Sequence, residues 1–463
     1  MVSLPFGTIE SDDEQTAVGP AEIDNDAIVA RAARAQEIFE NWTEERVDRL
    51  LHAIASRMVE AAEQLAIAAV SETGFGNVPD KTIKNRFASL DVYRSLAGKT
   101  AYGVLRSDPY RQVTEIASPV GVVFAIVPVT TPAATAIFKT MISIKARNAL
   151  IMSFHNRARR VGAMTGEFIR GVLTAHGAPV DLVQWLDGRV DREVTRRMMS
   201  HPGVSLVLAT GGAGLVKAAY SSGKPAIGVG PGNAPAWICP DADLRQAARA
   251  IIASKAFDNG LICGAEHNLV VDDCVAAPFV EELEREGAAI LTPTEVRHFV
   301  SNAIDSKSGA LRSDLVGRSA EALAAASGVT RSYPPRLLVV RVDPSRLNGW
   351  QAREKLAPFL SMFTVSGEDA GLNLCRALLR KDGAGHTAII HTTNRARIER
   401  FARAMPAGRI LVNVSGTQGC CGMGTGLDCS MTLGCGTFGG NSTTDNVTYR
   451  HLLNIKRVAY ARV

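Results

Sequence analysis

Three sets of residues in this chain could do chemistry by type and spacing: a cysteine among small neighbours, two glycine-rich strand ends, and a short basic run. Cys263 stands in FDNGLICGAEHNLVVDD (257–273), after a helix stop at Asp258-Asn259-Gly260 and just before a strand. A thiolate there could attack an electrophilic carbon, because small residues at an element boundary leave room for a substrate. The bland alternative is a buried packing cysteine. Glu266 and His267 follow closely, but adjacency in sequence does not make either a base. LATGGAGLVKAA (208–219) places Gly211, Gly212 and Gly214 where a strand gives way to a helix. Backbone N–H groups at such a helix start can hold a dinucleotide phosphate, although the pattern is not GxGxxG and a tight turn would read the same way. In KPAIGVGPGNAP (224–235), Gly228, Gly230 and Gly232 alternate as they would in an extended segment that another group approaches closely. An ordinary interdomain turn would read the same way; Val229 and Gly230 are placed with Gly211, Gly212 and Gly214 as cofactor-binding candidates.

His155 follows the strand NALIMS (148–153), at the carboxyl end where doubly wound sheets bind ligands. With Arg157 it could meet a cofactor phosphate or ribose; a solvated loop is the alternative. His386 in GAGHTA fits a packed loop or a site equally well. Cys420, Cys421, Cys429 and Cys435 crowd a late loop without CxxC pairs or an interleaved histidine, so packing is expected there and no metal.

These residues need elements to hold them. Residues 1–20 are polar and acidic and read as a flexible tail. From Ile23 to about Thr73 the apolar positions Ile28, Ala32, Ala35, Ile38 and Phe39 recur at helical spacing, with Asp24 or Asp26 as cap. QVTEIASPVGVVFAIV (112–127) ends in a continuous apolar run, the signature of a buried parallel strand. A helix (Pro132–Ser143), the strand at 148–153, a helix over about 158–175, the strand LVQWL, a further helix and VSLVLAT (204–210) then alternate. That order predicts a doubly wound α/β sheet with right-handed crossovers. After Pro235 the alternation restarts with WICP, a helix from Leu244 to Phe257 and NLVVDD (268–273), giving a second α/β domain that includes helical segments at 317–327 and 396–404. Residues 413–442 are rich in Gly, Ser, Thr and Cys and read as a long ordered loop.

Bulk properties narrow the class. At ~100–200 residues per domain, 463 residues suggest two to four domains. A net charge of +5, from 51 basic and 46 acidic residues, is too small to argue for nucleic acid or a membrane surface. There is no readable signal peptide, and the longest apolar run is about half of a spanning helix. A cytoplasmic protein is expected, with its eight cysteines as free thiols.

Taken in order, VPVTTPAATAIFK (127–139), NALIMSFHNRAR (148–159), ATGGAGLVKAAYSSGKPAIGVGPGNAP (209–235), KAFDNGLICGAEHNLVVDD (255–273), EKLAPFLSMF (354–363), GAGHTA (383–388) and MTLGCGTFGGNS (431–442) resemble the aldehyde dehydrogenase superfamily. The likeness is to its CoA-acylating branch, including the aldehyde dehydrogenase half of bifunctional aldehyde–alcohol dehydrogenases. It runs from about Ile23 to the C-terminus. The resemblance implies a Rossmann-type cofactor domain (21–103 and 119–236), an α/β catalytic domain (237–435) and a β-hairpin oligomerisation arm (104–118 and 436–463), assembled as a homodimer or homotetramer.

It further implies that Cys263 is the nucleophile, forming a thioester after hydride passes to NAD or NADP, with coenzyme A as acyl acceptor. The oxyanion would be held by the Cys263 backbone N–H and by Thr131, which stands where the family has Asn. Thr130 joins the cofactor residues, and Glu354 matches the carboxylate that holds the nicotinamide ribose. Val229 falls where hydrolytic members carry a water-activating Glu, which favours transfer to a thiol. NVPDK (77–81) and the VTTP loop are similar to acylating sulfoacetaldehyde dehydrogenases, and Thr130, Thr131, Ser415 and Thr417 with a basic side chain could bind a sulfonate. Arg157, Arg159 and Arg160 could hold a 2′-phosphate, but the sequence does not choose NAD over NADP. Two rivals are carried: a hydrolytic aldehyde dehydrogenase releasing a free acid, and a noncatalytic structural or filament subunit. The expected partners are a small aldehyde and CoA, with no nucleic acid and no membrane.

Overall fold

A computed structural model describes residues 23–461 apart from 189, 308 and 348. The tail expected over 1–20 lies outside them. The described chain opens with helices Asn25–Glu40, Glu44–Glu60 and Ala62–Thr73. Asp24 caps the first by accepting from the Ala27 N–H at 2.9 Å, and Thr43 caps the second by accepting from the Arg46 N–H at 3.3 Å. Val29, Ala32, Ala35 and Phe39 form the buried stripe of the first helix. Ile38, expected on that stripe, is 62% exposed. Its neighbour Phe39 takes the buried place, and adjacent helical residues point ~100° apart.

A hairpin of β1 (Gly103–Asp108) and β2 (Val113–Pro119) follows. The first parallel sheet comprises β3 (Val122–Val127), β4 (Ala149–Phe154), β5 (Val183–Trp185), β6 (Leu206–Thr210) and β7 (Ala226–Val229), in the order β5-β4-β3-β6-β7. Every residue of β3 and β4 is buried. Helices cover both faces, which is why these strands read as unbroken apolar runs. The chain moves outward from β3 to β5 and then returns to place β6 on the other side of β3. The carboxyl ends of β3 and β6 therefore diverge at a switch point, where a ligand can enter.

The second parallel sheet comprises β8 (Ala234–Ile238), β9 (Glu266–Asp272), β10 (Ala288–Ile290), β11 (Leu337–Val342), β12 (Phe359–Val365), β13 (Gly385–His391) and β14 (Ala407–Val412), in the order β10-β11-β12-β9-β8-β13-β14. The division between the sheets thus falls between β7 and β8, a few residues before the boundary placed at 236. β15 (Leu453–Ala459) pairs antiparallel with β2 and completes a three-stranded sheet with the hairpin. The segment read as a long loop carries a short helix, Gly416–Cys420, and a single 3-10 turn, Thr437–Gly439. Among the described residues no helix is long and apolar enough to cross a membrane.

The helix Pro132–Lys145, buried along its whole length, sets the position of the loop before it. Its last residue, Lys145, is fully buried and donates to Glu44 Oε1 and Asp48 Oδ1, each at 2.6 Å. Arg147 donates to the Trp42 carbonyl and to Glu44 Oε2 at 3.1 Å. These bonds fasten the helix to Glu44–Glu60. Removing one member of a buried ion pair typically costs ~3 kcal/mol or more. Lys145→Met is expected to lower stability by about 3 kcal/mol, read as a fall in the urea midpoint; an unchanged midpoint would show that the carboxylates do not depend on this cation.

Candidate active site

Loops from both sheets meet at one cleft of 1370 Å³. Thr131 stands at the N-terminus of the helix after β3, Cys263 in the turn before β9, Glu354 ahead of β12, and His386 inside β13. Thr130, Thr131, His155, Gly211, Gly212, Gly214, Val229, Gly230, Cys263 and Glu354 all line this cleft. Arg157 does not. Its guanidinium donates to the Thr73 carbonyl at 2.7 Å and lies 4.8 Å from the Phe75 ring centroid. A carbonyl at a helix C-terminus and an aromatic face both attract a cation, and together they turn this arginine away from the ligand space.

Cys263 Sγ lies 3.1 Å from His386 Nε2. On the other side of the ring, Nδ1 is 2.9 Å from Thr387 Oγ1, which also accepts from Arg409 Nε at 3.4 Å. Arg409 is itself fixed by the carbonyls of Gly434 at 2.6 Å and Thr444 at 3.1 Å. A proton on Nδ1 can bond Thr387, which leaves the Nε2 lone pair facing the thiol. Burial, and then the Arg409 charge, hold His386 well below the usual imidazole range. Burial, and then the Glu354 carboxylate, push the Cys263 thiol up. The resting pair is therefore neutral, with one short proton step between its members.

Glu354 Oε1 accepts from the Gly232 N–H at 3.0 Å. Burial raises its pKa to about 7 against that hydrogen bond. Gly232 passes so close to Cys263 that a Cβ on it would lie 1.9 Å from the Cys263 carbonyl oxygen. Thr131 occupies the N-cap position of Pro132–Lys145, yet its hydroxyl makes no capping bond and sits 2.9 Å from Thr135 Oγ1. That hydroxyl can accept from Thr135 and still donate into the cleft. The positive end of the helix points the same way.

The cleft also fits a dinucleotide. Gly212 caps the eight-residue helix Ala213–Tyr220, and a Cβ at Gly212, Gly214 or Gly230 would meet nothing within 4 Å, so their backbones face open space. The Gly211 N–H donates to the Val229 carbonyl at 3.2 Å and joins the two glycine-rich turns. His155 accepts from the Arg157 N–H through Nδ1 at 3.1 Å, and burial, followed by the Arg157 charge, keeps its pKa low. No metal-ligand cluster involves the late-loop cysteines among the described residues. Cys420 and Cys421 instead pack 3.8 Å apart, sulfur to sulfur.

Three contributors escaped the sequence reading. His386 was undecided, and Thr387 and Arg409 were not considered. A signal for Arg409 existed: it is a charged residue at a buried position of β14, and a buried cation needs dedicated partners.

The Aldehyde dehydrogenase family model matches residues 15–449. The chain is 39% identical over 440 residues to the bifunctional aldehyde-alcohol dehydrogenase AdhE of Escherichia coli K12, covering 94% of this chain and 49% of that protein. It thus spans about half the length of that curated relative. It is 34% identical to the sulfoacetaldehyde dehydrogenase of an Acholeplasma species, over 93% of this chain and 90% of the relative. Among solved structures, an acetylating aldehyde dehydrogenase from Geobacillus thermoglucosidasius superposes with a TM-score of 0.92 at 40% identity, covering 95% of this chain and 96% of that one.

The electrostatics around the thiol give a signed expectation. Glu354→Gln removes the charge that opposes a thiolate. The carboxyl titrates near pH 7, so alkylation of Cys263 by iodoacetamide should match wild type at pH 6 and become a few-fold faster above pH 7, at about tenfold per unit of thiol pKa. An equal effect at both pH values would place the Glu354 charge elsewhere. His386→Gln should slow the same labelling about tenfold or more.

Proposed function

The chain belongs to the aldehyde dehydrogenase family, and from that premise we propose that it oxidises a small, uncharged aldehyde and transfers the acyl group to coenzyme A, with NAD+ or NADP+ as oxidant. The observation that carries this reading is the partner of the nucleophile. Cys263 faces a neutral imidazole at 3.1 Å, while Val229, which by resemblance stands where hydrolytic members carry a water-activating Glu, is buried and apolar.

In this reading His386 Nε2 takes the Cys263 proton as sulfur adds to the carbonyl carbon. The Cys263 N–H and the Thr131 hydroxyl receive the oxyanion. The dinucleotide supplies the hydride acceptor. Glu354 and the glycine turns would hold it in the cleft, and loss of hydride from the thiohemiacetal carbon, as its oxyanion returns to a carbonyl, would leave a thioester on Cys263. A water molecule has no carboxylate at position 229 to deprotonate it. A thiol is the better nucleophile: His386, once it has passed its proton to solvent, can take the proton of the incoming CoA and return it to the Cys263 sulfur as the acyl group leaves.

The walls beside the nucleophile support an uncharged substrate. Leu261, Ile262, Cys421, Met431 and Leu433 line the cleft around Cys263. The arginines lining it among the described residues, Arg192 and Arg196, belong to the helix that follows β5, at the outer edge of the first sheet. The relative from Acholeplasma favours sulfoacetaldehyde as a second reading, one that needs a cation for the sulfonate. The eight unpaired cysteines suit a cytoplasmic enzyme. The three-stranded sheet suits a dimerisation arm, with exposed Val104, Tyr110, Val458 and Tyr460 offering apolar surface to a second copy.

Without CoA, a small aldehyde such as propanal should give one burst of reduced dinucleotide per Cys263 and then almost none; with CoA, turnover should be sustained. Sustained turnover without CoA would favour the hydrolytic rival. In a panel of acetaldehyde, propanal, succinic semialdehyde and sulfoacetaldehyde, the uncharged pair should lead in kcat/KM by about tenfold or more; a lead for sulfoacetaldehyde would establish the second reading. Cys263→Ala should bind cofactor and form no acyl-CoA.

A further inference from the structure

The turn that delivers Cys263 is one that side chains resist. Between the helix Leu244–Ala256 and the nucleophile, Asp258 and Asn259 adopt φ of 46° and 54°. Left-handed backbone at two consecutive non-glycine residues persists only where surrounding contacts dictate it. Asp258, fully buried, supplies those contacts. Its Oδ1 accepts from the Asn77 N–H at 3.0 Å, its Oδ2 accepts from Lys81 Nζ at 3.0 Å and from Lys84 Nζ, and its own N–H donates to Asp80 Oδ2 at 2.7 Å. Gly76, at φ 73°, leaves room for it; a Cβ there would lie 1.9 Å from Asp258 Oδ1.

Lys81 does more than neutralise this carboxylate. The same ammonium donates to the Thr130 carbonyl at 3.0 Å. One buried cation therefore bonds the loop that presents Thr131 and the turn that presents Cys263. These loops come from different sheets, and the described bonds show no other single side chain that spans them. We propose that Lys81, seated on Asp258, is a positioning residue for acylation, setting the distance between the Thr131 hydroxyl and the sulfur-bound carbonyl. NVPDK thus acts on the substrate's oxyanion through the backbone, without touching the substrate. The proposal rests on the reading of Thr131 as an oxyanion donor. A misplacement of about 1 Å in such a donor can lower turnover ~100-fold.

The test is a double-mutant cycle in the full chain, with Lys81→Met, Thr131→Val and their combination. It is read by kcat and KM for propanal, the first-turnover burst, and iodoacetamide labelling of Cys263. Lys81→Met is expected to lower kcat and the burst rate by about tenfold or more, with cofactor KM and labelling rate within about twofold, because alkylation builds no oxyanion. The double variant should be no slower than the slower single one, since both remove the same interaction. Wild-type kcat in Thr131→Val would overturn the oxyanion reading and this proposal with it. An impaired Thr131→Val with a normal Lys81→Met, with multiplicative losses, or with labelling that falls in step with kcat, would overturn the positioning role alone. Should Lys81→Met not fold, Lys81→Arg carries the same cycle: it keeps the charge, shifts the donor, and must again show non-multiplicative loss with Thr131→Val.

Discussion

The proposed reaction has to make an anion at Cys263 in surroundings that disfavour anions. The thiol lies against buried groups, its proton partner is an imidazole kept neutral by burial and by Arg409, and the Glu354 carboxylate opposes a thiolate. The site offers positive potential in forms that are not free cations: the start of the helix Pro132–Lys145, backbone N–H groups, and a hydroxyl at Thr131. Such dipoles need no counter-ion at rest and are already aimed when charge appears. A free lysine in the same place would hold the thiolate permanently and leave it open to any electrophile.

The basic side chains buried in this region are occupied with structure. Lys145 is bound by Glu44 and Asp48, and Arg409 by carbonyls of the late loop. Lys139, fully buried, donates to the carbonyls of Ile126 at 2.6 Å and Leu208 at 2.9 Å. It bridges β3 and β6 beside the switch point, and burial presses its pKa to about 7. Arg409 and Lys139 each fix a loop or strand end that borders the cleft, and Lys145 fixes the far end of the helix whose start enters it. The electrostatics of the active site are thus set partly by charges that never reach it.

Much of this could be read from the chain alone, for definite reasons. β3 and β4 are covered on both faces, so their sequences are uninterrupted apolar runs, and their alternation with helices revealed the doubly wound sheet. The glycine-rich turns were visible because close backbone approach excludes side chains. Direction was harder. The basic run at 157–160 has the right composition for a phosphate, yet Arg157 points to Thr73, a contact 84 residues away. The pairing of Cys263 with His386 spans 123 residues, and that of Lys81 with Asp258 spans 177. No local pattern encodes either one. NVPDK was read as a likeness to sulfoacetaldehyde dehydrogenases; that it also packs against the turn before Cys263 depends on Asp258, far along the chain. Ile38 failed for a smaller reason: in a helix with several apolar residues, one step along the chain decides which of them faces inward.

Gly232 and Gly76 carry a consequence for how this gene can change. A Cβ at Gly232 would lie 1.9 Å from the Cys263 carbonyl oxygen, and one at Gly76 would lie 1.9 Å from the Asp258 carboxylate that shapes the turn before it. Any missense change in a glycine codon introduces a side chain, so neither position has a mild intermediate. Both codons can drift only silently, in the third base.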